Sequence, residues 1–238
     1  MIRKYTFGTP LPTDAVVRQL PAEAGPLPYF SVQSGAGGSV TISLSLHPEE
    51  VIFGLGQAVR GIDKRGHRYE SWNSDIFNHT EDKPSLYGSH NLLVFFSPER
   101  LLGLYLDDPG KIIWDLGWER SDTAAITSVN GNLDLYLIEE DSLTGIARAF
   151  RELTGRSYLP PRWAFGYIQS RWGYASEEDV RAVVSEHRKR HIPSGFECNR
   201  RPSGAADSSA RSAHGRRGRL RPANPPQSGT DRDYRSRT

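Results

Sequence analysis

Hydrophobic and polar residues alternate with a period of two through much of residues 1–140. In SVTISLSL, Val40, Ile42, Leu44 and Leu46 fall on one side of the chain and Thr41, Ser43 and Ser45 on the other, the mark of a strand with one buried face. The same alternation runs through LGLYLDD, with Leu102, Leu104 and Leu106, and through NLDLYLI, with Leu133, Leu135 and Leu137. Between the runs stand SGAGGS, SPER, DDPG and VNGN, composed of residues that favour tight turns. Many short strands joined by polar turns predict a mainly β, antiparallel sandwich or barrel over this stretch.

The period then changes. SLTGIARAFRELTG places Leu143, Ile146, Ala147, Phe150 and Leu153 at helical spacing, with Asp141 or Ser142 as N-cap and Gly155 as the stop. Pro160 and Pro161 forbid continuation of that helix and mark a boundary. WAFGYIQS follows as an apolar strand. SEEDVRAVVSEHRKRH reads as a helix opened by a Ser176 and Asp179 capping box, with Val180, Val183, Val184 and His187 on one face. A strand followed by a helix implies a second strand, yet SGFECNRR after Pro193 carries no apolar alternation. Order is therefore expected to stop at Pro193.

Charge sharpens that break. Residues 1–193 hold 20 Lys and Arg against 24 Asp and Glu, whereas residues 194–238 hold 10 Arg, no Lys and 4 acids. Arg, Pro, Ser, Gly and Ala supply 31 of those last 45 residues, too little apolar surface to offset the entropy of folding, so a disordered tail is expected. A reading-frame shift in GC-rich DNA produces this mixture, because these residues have GC-rich codons; a plain linker or an arginine-rich nucleic-acid arm are the alternatives. The acidic body and the absence of lysine weigh against nucleic acid as a partner. Cys198, the one cysteine, lies in the tail, leaving the body without a disulfide. MIRKYTFGTPLP lacks the apolar run of about 7 to 15 residues of a secretory signal, and no stretch approaches the roughly 20 apolar residues that span a bilayer. A cytoplasmic protein without membrane contact is the expectation.

The segments FGLGQ (53–57), DKRG (63–66), YESWNSD (69–75), SLYGSH (85–90), GLYLDD (103–108) and LTGRSYLPPRWAFGYIQSRWGY (153–174) stand in the order found in glycoside hydrolase family 31. The chain resembles the N-terminal part of that α-glucosidase and α-xylosidase family. The resemblance implies a galactose mutarotase-like antiparallel β-sandwich over residues 1–140 and a linking helix with a Pro-Pro hinge over 141–160. It implies the first βα unit of an incomplete (β/α)₈ barrel over 161–193, with the disordered tail over 194–238. It further implies a retaining α-glycosidase, foremost an α-glucosidase, hydrolysing O-glycosyl bonds of an α-glucoside or related oligosaccharide with no cofactor and no metal. In the family both catalytic aspartates come from later barrel strands, the nucleophile within a Trp-x-Asp-x-Asn-Glu type of motif. No such motif occurs here. The chain is thus expected to carry no catalytic residue and to be inactive alone.

Retention of configuration needs two carboxyl groups about 5 to 5.5 Å apart across the scissile bond. Asp107 and Asp108 are strand neighbours whose side chains point to opposite faces, and Glu139, Glu140 and Asp141 read as acidic residues favouring a helix start. Two substrate-binding residues follow from the resemblance. Asp75, in WNSD, matches a sandwich-loop aspartate that hydrogen-bonds a sugar hydroxyl, and Trp172, in SRW, matches an aromatic lining the sugar site from the end of the first barrel strand. Trp72 reads as packing. Gly54 and Gly56 lack the third glycine of a dinucleotide loop, and His187 and His191 enclose basic residues that repel a metal cation. The alternative is a stand-alone carbohydrate-binding or interaction sandwich, and nothing in the sequence determines an oligomeric state.

Overall fold

The computed structural model describes residues 1–75, 77–192 and 196–200, with 163, 169–172 and 196–200 described by backbone alone. The chain divides into two compact units at the Leu159 to Pro160 junction. Ten strands of the first unit form two antiparallel sheets of five. One sheet holds β1 (Ile2–Phe7), β4 (Val51–Gly54), β6 (Leu92–Phe96), β7 (Leu101–Asp107) and β10 (Leu133–Glu139), in the order β1-β10-β7-β6-β4. The other holds β2 (Ser31–Ser34), β3 (Val40–Ser45), β5 (His67–Ser71), β8 (Ile112–Leu116) and β9 (Thr123–Ser128), in the order β2-β3-β9-β8-β5.

The alternation in the sequence describes the inner faces. Ile42 and Leu44 from β3, Leu104 from β7, Trp114 from β8 and Leu135 from β10 meet between the sheets, each at most 2% exposed. Trp114 Nε1 donates to Ser71 Oγ at 2.8 Å, so the one polar atom of the largest core side chain is satisfied.

The outer face of the first sheet is covered as well. Helix α1 (Leu143–Thr154) lays Ile146, Ala149 and Leu153 over Val94, Tyr105, Tyr136 and Ile138. Strands β7 and β10 are therefore buried almost continuously, although the leucines of their inner face alone show the period of two. Gly103 makes this docking close. A Cβ there would stand 3.1 Å from both Ile138 Cβ and Ile146 Cγ2. Ser142 caps α1 by accepting from Gly145 N at 3.0 Å. At the far end Val17 N and Arg18 N donate to Leu153 O at 2.9 and 3.2 Å, so an N-terminal arm satisfies a carbonyl that the helix leaves open.

Glu139 and Glu140, ahead of α1, have partners other than the helix. Neither lies in its first turn. Glu139 accepts from Arg3 Nη2 at 2.5 Å and Tyr29 OH at 2.8 Å, while Glu140 Oε1 takes the N-terminal amine at 2.7 Å. These contacts fasten β1 to its neighbour β10, a long-range pairing that local sequence cannot reveal.

The second unit contains a 3₁₀ turn (Arg162–Phe165), β11 (Ile168–Trp172), α2 (Glu177–Lys189) and β12 (Phe196–Arg200). The strand expected from Trp163 begins only at Ile168, because the chain leaving the two prolines first closes a turn, Ala164 N donating to Pro161 O at 2.9 Å. Helix α2 opens with the capping box: Asp179 N donates to Ser176 Oγ at 3.2 Å and Ser176 N to Asp179 Oδ2 at 3.1 Å. Order does not stop at Pro193. Strand β12 pairs in parallel with β11, from Ile168 opposite Phe196 to Trp172 opposite Arg200, and closes a βαβ unit. A parallel ladder is made by backbone donors and acceptors, which FECNR supplies as well as an apolar run does. Apart from these five residues, the expected tail lies outside the described residues.

Candidate functional site

Several of the motifs that carry the family resemblance prove to be turn and loop fasteners. At the end of β4, Gly54 has φ +130° and a Cβ there would fall 2.1 Å from Leu92 O; a Cβ on Gly56 would strike the His90 ring at 2.3 Å. Only glycine permits these backbones to approach. In DKRG, Asp63 Oδ1 accepts from Ile52 N at 3.1 Å and Arg65 N at 3.0 Å. Lys64 is 3% exposed and its ammonium donates to the carbonyls of Ala58, Val59 and Gly61 at 2.8, 3.1 and 2.5 Å, with burial pushing its pKa down. Arg65 spans the carbonyls of His47, Pro48 and Glu50. These cations satisfy buried backbone acceptors, a structural task.

The loop between β5 and β6 doubles back on itself. Ser74 N donates to Leu86 O at 2.9 Å, the Ser74 and Ser85 hydroxyls are 2.9 Å apart, and Ser89 Oγ donates to Asn73 Oδ1 at 2.6 Å. Lys83 Nζ reaches Phe77 O at 2.8 Å, and the His79 ring centre lies 5.4 Å from that of Tyr87. This stitching presents Asp75 on the surface, where it makes no hydrogen bond or ion pair among the described residues. Around it Trp72, Phe77 and Tyr87 are all more than half exposed.

Trp72 is the residue that sequence reasoning placed wrongly. Far from packing in the core, it is 55% exposed and lines a cleft of about 350 Å³ with Asn73, Ser89, Asn91 and Asp108. A flat ring beside amides, a hydroxyl and a carboxylate can hold a sugar by its C–H face and its hydroxyls together. The signal was present: an aromatic directly before the turn residues Asn73 and Ser74 lies where apolar alternation has already ended.

The other carboxylate candidates are engaged. Thr13 Oγ1 donates to both oxygens of Asp107 at 2.8 and 2.7 Å, and burial holds the Asp107 carboxyl above its usual range. Asp108 accepts from Ser128 Oγ at 2.6 Å and Gly110 N at 2.7 Å, closing the turn at Pro109. Trp172 takes the last position of β11 in the second unit; its side chain lies outside the described residues. His187 Nδ1 lies 2.9 Å from Val183 O, and its ring stacks on Tyr167 at 5.6 Å. Among the described residues no group of three His, Cys, Asp or Glu side chains is placed to hold a metal ion, and no helix is long and apolar enough to cross a membrane.

The chain thus runs from an antiparallel sandwich of two five-stranded sheets, through a Pro-Pro junction, into a parallel βαβ segment. Residues 18–115 match the family model described as the glycosyl hydrolase 31 N-terminal galactose mutarotase-like domain, and residues 157–196 match the glycosyl hydrolases family 31 TIM-barrel domain. The chain belongs to glycoside hydrolase family 31. It is 31% identical over 148 residues to an alpha-glucosidase of Saccharolobus solfataricus, covering 62% of this chain and 21% of that protein. It is 34% identical over 88 residues to an alpha-xylosidase of the same organism, covering 34% of this chain and 12% of that protein. Among solved structures, a Flavobacterium johnsoniae family 31 dextranase complexed with isomaltotriose superposes with a TM-score of 0.62 at 28% identity, over 70% of this chain and 20% of the dextranase. The chain spans about a fifth of the length of the first of these curated relatives.

Proposed function

We propose that this chain forms the sandwich and the first barrel segment of a retaining α-glycosidase, and that the substrate is an α-glucoside. The observation that carries this reading is the succession of the two family 31 domains along one chain, alongside relatives named as alpha-glucosidases. Asp75 is the sugar-binding carboxylate. It is exposed, unpaired among the described residues, and held on a stitched loop, so its two oxygens accept substrate hydroxyls with little rearrangement. Trp72 supplies an apolar face beside it. Trp172 contributes a second aromatic from the barrel strand.

Retaining hydrolysis requires an opposed pair of carboxyl groups. Asp107 and Asp108 hold protein partners, and residues 1–200 contain no Trp-x-Asp-x-Asn-Glu motif. We take the chain alone to bind sugar without cleaving it. Incubating the full chain with an aryl α-glucoside should release no aglycone, and isomaltose should bind saturably in the wild type and weakly in Asp75→Ala. Hydrolysis above background would overturn the inactivity; equal binding by the variant would overturn the role of Asp75. Translating the coding DNA beyond Ile192 in its other two frames tests the link to an intact enzyme. A Trp-x-Asp-x-Asn-Glu motif in one of them supports it, and its absence from both favours a stand-alone carbohydrate-binding sandwich.

A further inference from the structure

A second cleft, of about 520 Å³, opens on the face of the first sheet that α1 covers, with Ser89, Asn91, Asp108 and Pro109 shared between it and the Trp72 cleft. Its volume falls within the range of about 300 to 1,000 Å³ typical of small-molecule sites. Tyr105 is 8% exposed and lines this cleft, yet its hydroxyl makes no hydrogen bond among the described residues. Burial and the neighbouring Asp107 carboxylate push that phenol up to about 12, so it keeps its proton and can donate. Asp107, on the same face, accepts from Thr13 alone among the described side chains and has lone pairs to spare. Asn91 Oδ1, at the wall, is buried without any donor among the described residues. Phe150 stands edge-on to Tyr105 at 5.2 Å and, with Leu92, makes the apolar side of the cleft.

A phenol donor that faces the cleft without a protein acceptor, beside a carboxylate with spare acceptor capacity and the undonated Asn91 Oδ1, offers a ligand both a donor and acceptors. The chemistry selects among ligand classes. A wholly apolar ligand would seal the Tyr105 hydroxyl away from any partner. An anion would meet the Asp107 carboxylate. A metal cation would find one carboxylate with spare capacity, Asp107, and no second, because Asp108 is engaged by Ser128 and Gly110 and Asp134 is paired with Lys4 at 2.8 Å. A neutral polyhydroxylated ligand suits every group: its hydroxyls donate to Asp107, its oxygens accept from Tyr105, and its C–H face rests against Phe150.

We propose that this cleft is a second carbohydrate site, holding one neutral hexose unit between Tyr105, Asp107 and Phe150, separate from the Asp75 loop. The α-glycoside reading enters only in the choice of probe. Isotope-labelled full chain would be titrated with glucose and with isomaltose, following resonances of Leu92 and Phe150 for this cleft and of Trp72 for the loop. Sugar should shift both sets. Tyr105→Phe, which deletes one oxygen, should weaken the response of the cleft about threefold to tenfold, as loss of one hydrogen bond does, and leave the Trp72 response unchanged. Asp107→Asn, a second variant with the same shape, should also act on the cleft alone. Asp75→Ala should act on the loop alone, so failure of the loop site and failure of the cleft site are read separately. The inference falls if Leu92 and Phe150 do not move at saturating sugar, if Tyr105→Phe binds like wild type, or if Asp75→Ala removes the cleft response too.

Discussion

Helices α1 and α2 begin alike and end in different situations. Each is capped by a serine, Ser142 or Ser176, through the backbone amide three residues on. Helix α1 then buries Ile146, Ala149 and Leu153 against a two-layer sandwich, whereas α2 has no fully buried residue, and Phe165 and Tyr167 in the same unit are 73% and 50% exposed. Capping sets where a helix starts; burial sets whether it is stable. The ion pairs of Glu177 with Arg181 and Glu186 with Arg190 are solvent-exposed and screened, so they add little to the stability of α2. A 13-residue helix whose apolar face, Val180, Val183, Val184 and His187, is only half-buried is marginal in water. The second unit should therefore open first and separately.

The sharpest way to break this contrast is a pair of truncations. Trp114→Ala should cost about 3 to 5 kcal/mol, read as a fall in the urea midpoint of the first unit, because the side chain is fully enclosed between the sheets. Val183→Ala in α2 should leave that midpoint within about 0.5 kcal/mol. Equal effects would mean that the two units share one core. The next effect in size concerns Glu50, whose side chain is fully buried and bound by the Arg100 guanidinium at Nε (2.7 Å) and at Nη2. Arg100→Met should cost about 3 kcal/mol, since it strands a buried carboxylate, and Glu50→Gln with Arg100→Met should recover part of the loss.

Gly103→Val tests why α1 belongs to the sandwich. Its side chain would enter the space of Ile138 and Ile146, so a loss of about 1 to 3 kcal/mol is expected, with faster amide exchange in α1. The smallest effect is a pH dependence. Burial holds the Asp107 pKa above its ordinary value of 3.8, so the folded state binds this proton more tightly than the unfolded chain does. That contribution is complete below the ordinary value and is lost as pH rises through the raised one. Asp107→Asn removes it, so the stability of the variant relative to wild type should climb as pH rises through the ordinary value of 3.8 and level off above the raised one. A flat difference would mean that Asp107 is solvated in the folded protein.

Much of the fold was legible because its rules are local. The inner-face leucines of β7 and β10, the turn residues at Gly110 and Gly131, and the serine caps each act within a few positions, and the motif order placed the family. The outer-face burial of the same strands was not legible. Tyr105, Tyr136 and Ile138 look like the second side of an alternating strand until α1 arrives from residues 143–154 to cover them. The candidate site divided in the same way. Asp75 could be picked from its motif, but the exposure of Trp72 depends on how the following 20 residues fold back. Glu139 and Glu140, read as acids favouring a helix start, answer to Arg3 and to the N-terminal amine across the sheet.

By itself the sequence determined the strand period, the helix limits, the Pro-Pro junction and membership of a sugar-acting family, since these reside in backbone preference and residue spacing. Only the tertiary structure decided which polar groups remain without partners. Whether Tyr105, Asp75 or Asp107 is satisfied depends on side chains contributed by segments distant in sequence, and hydrogen-bond saturation is a property of the packed ensemble of groups rather than of any stretch of chain.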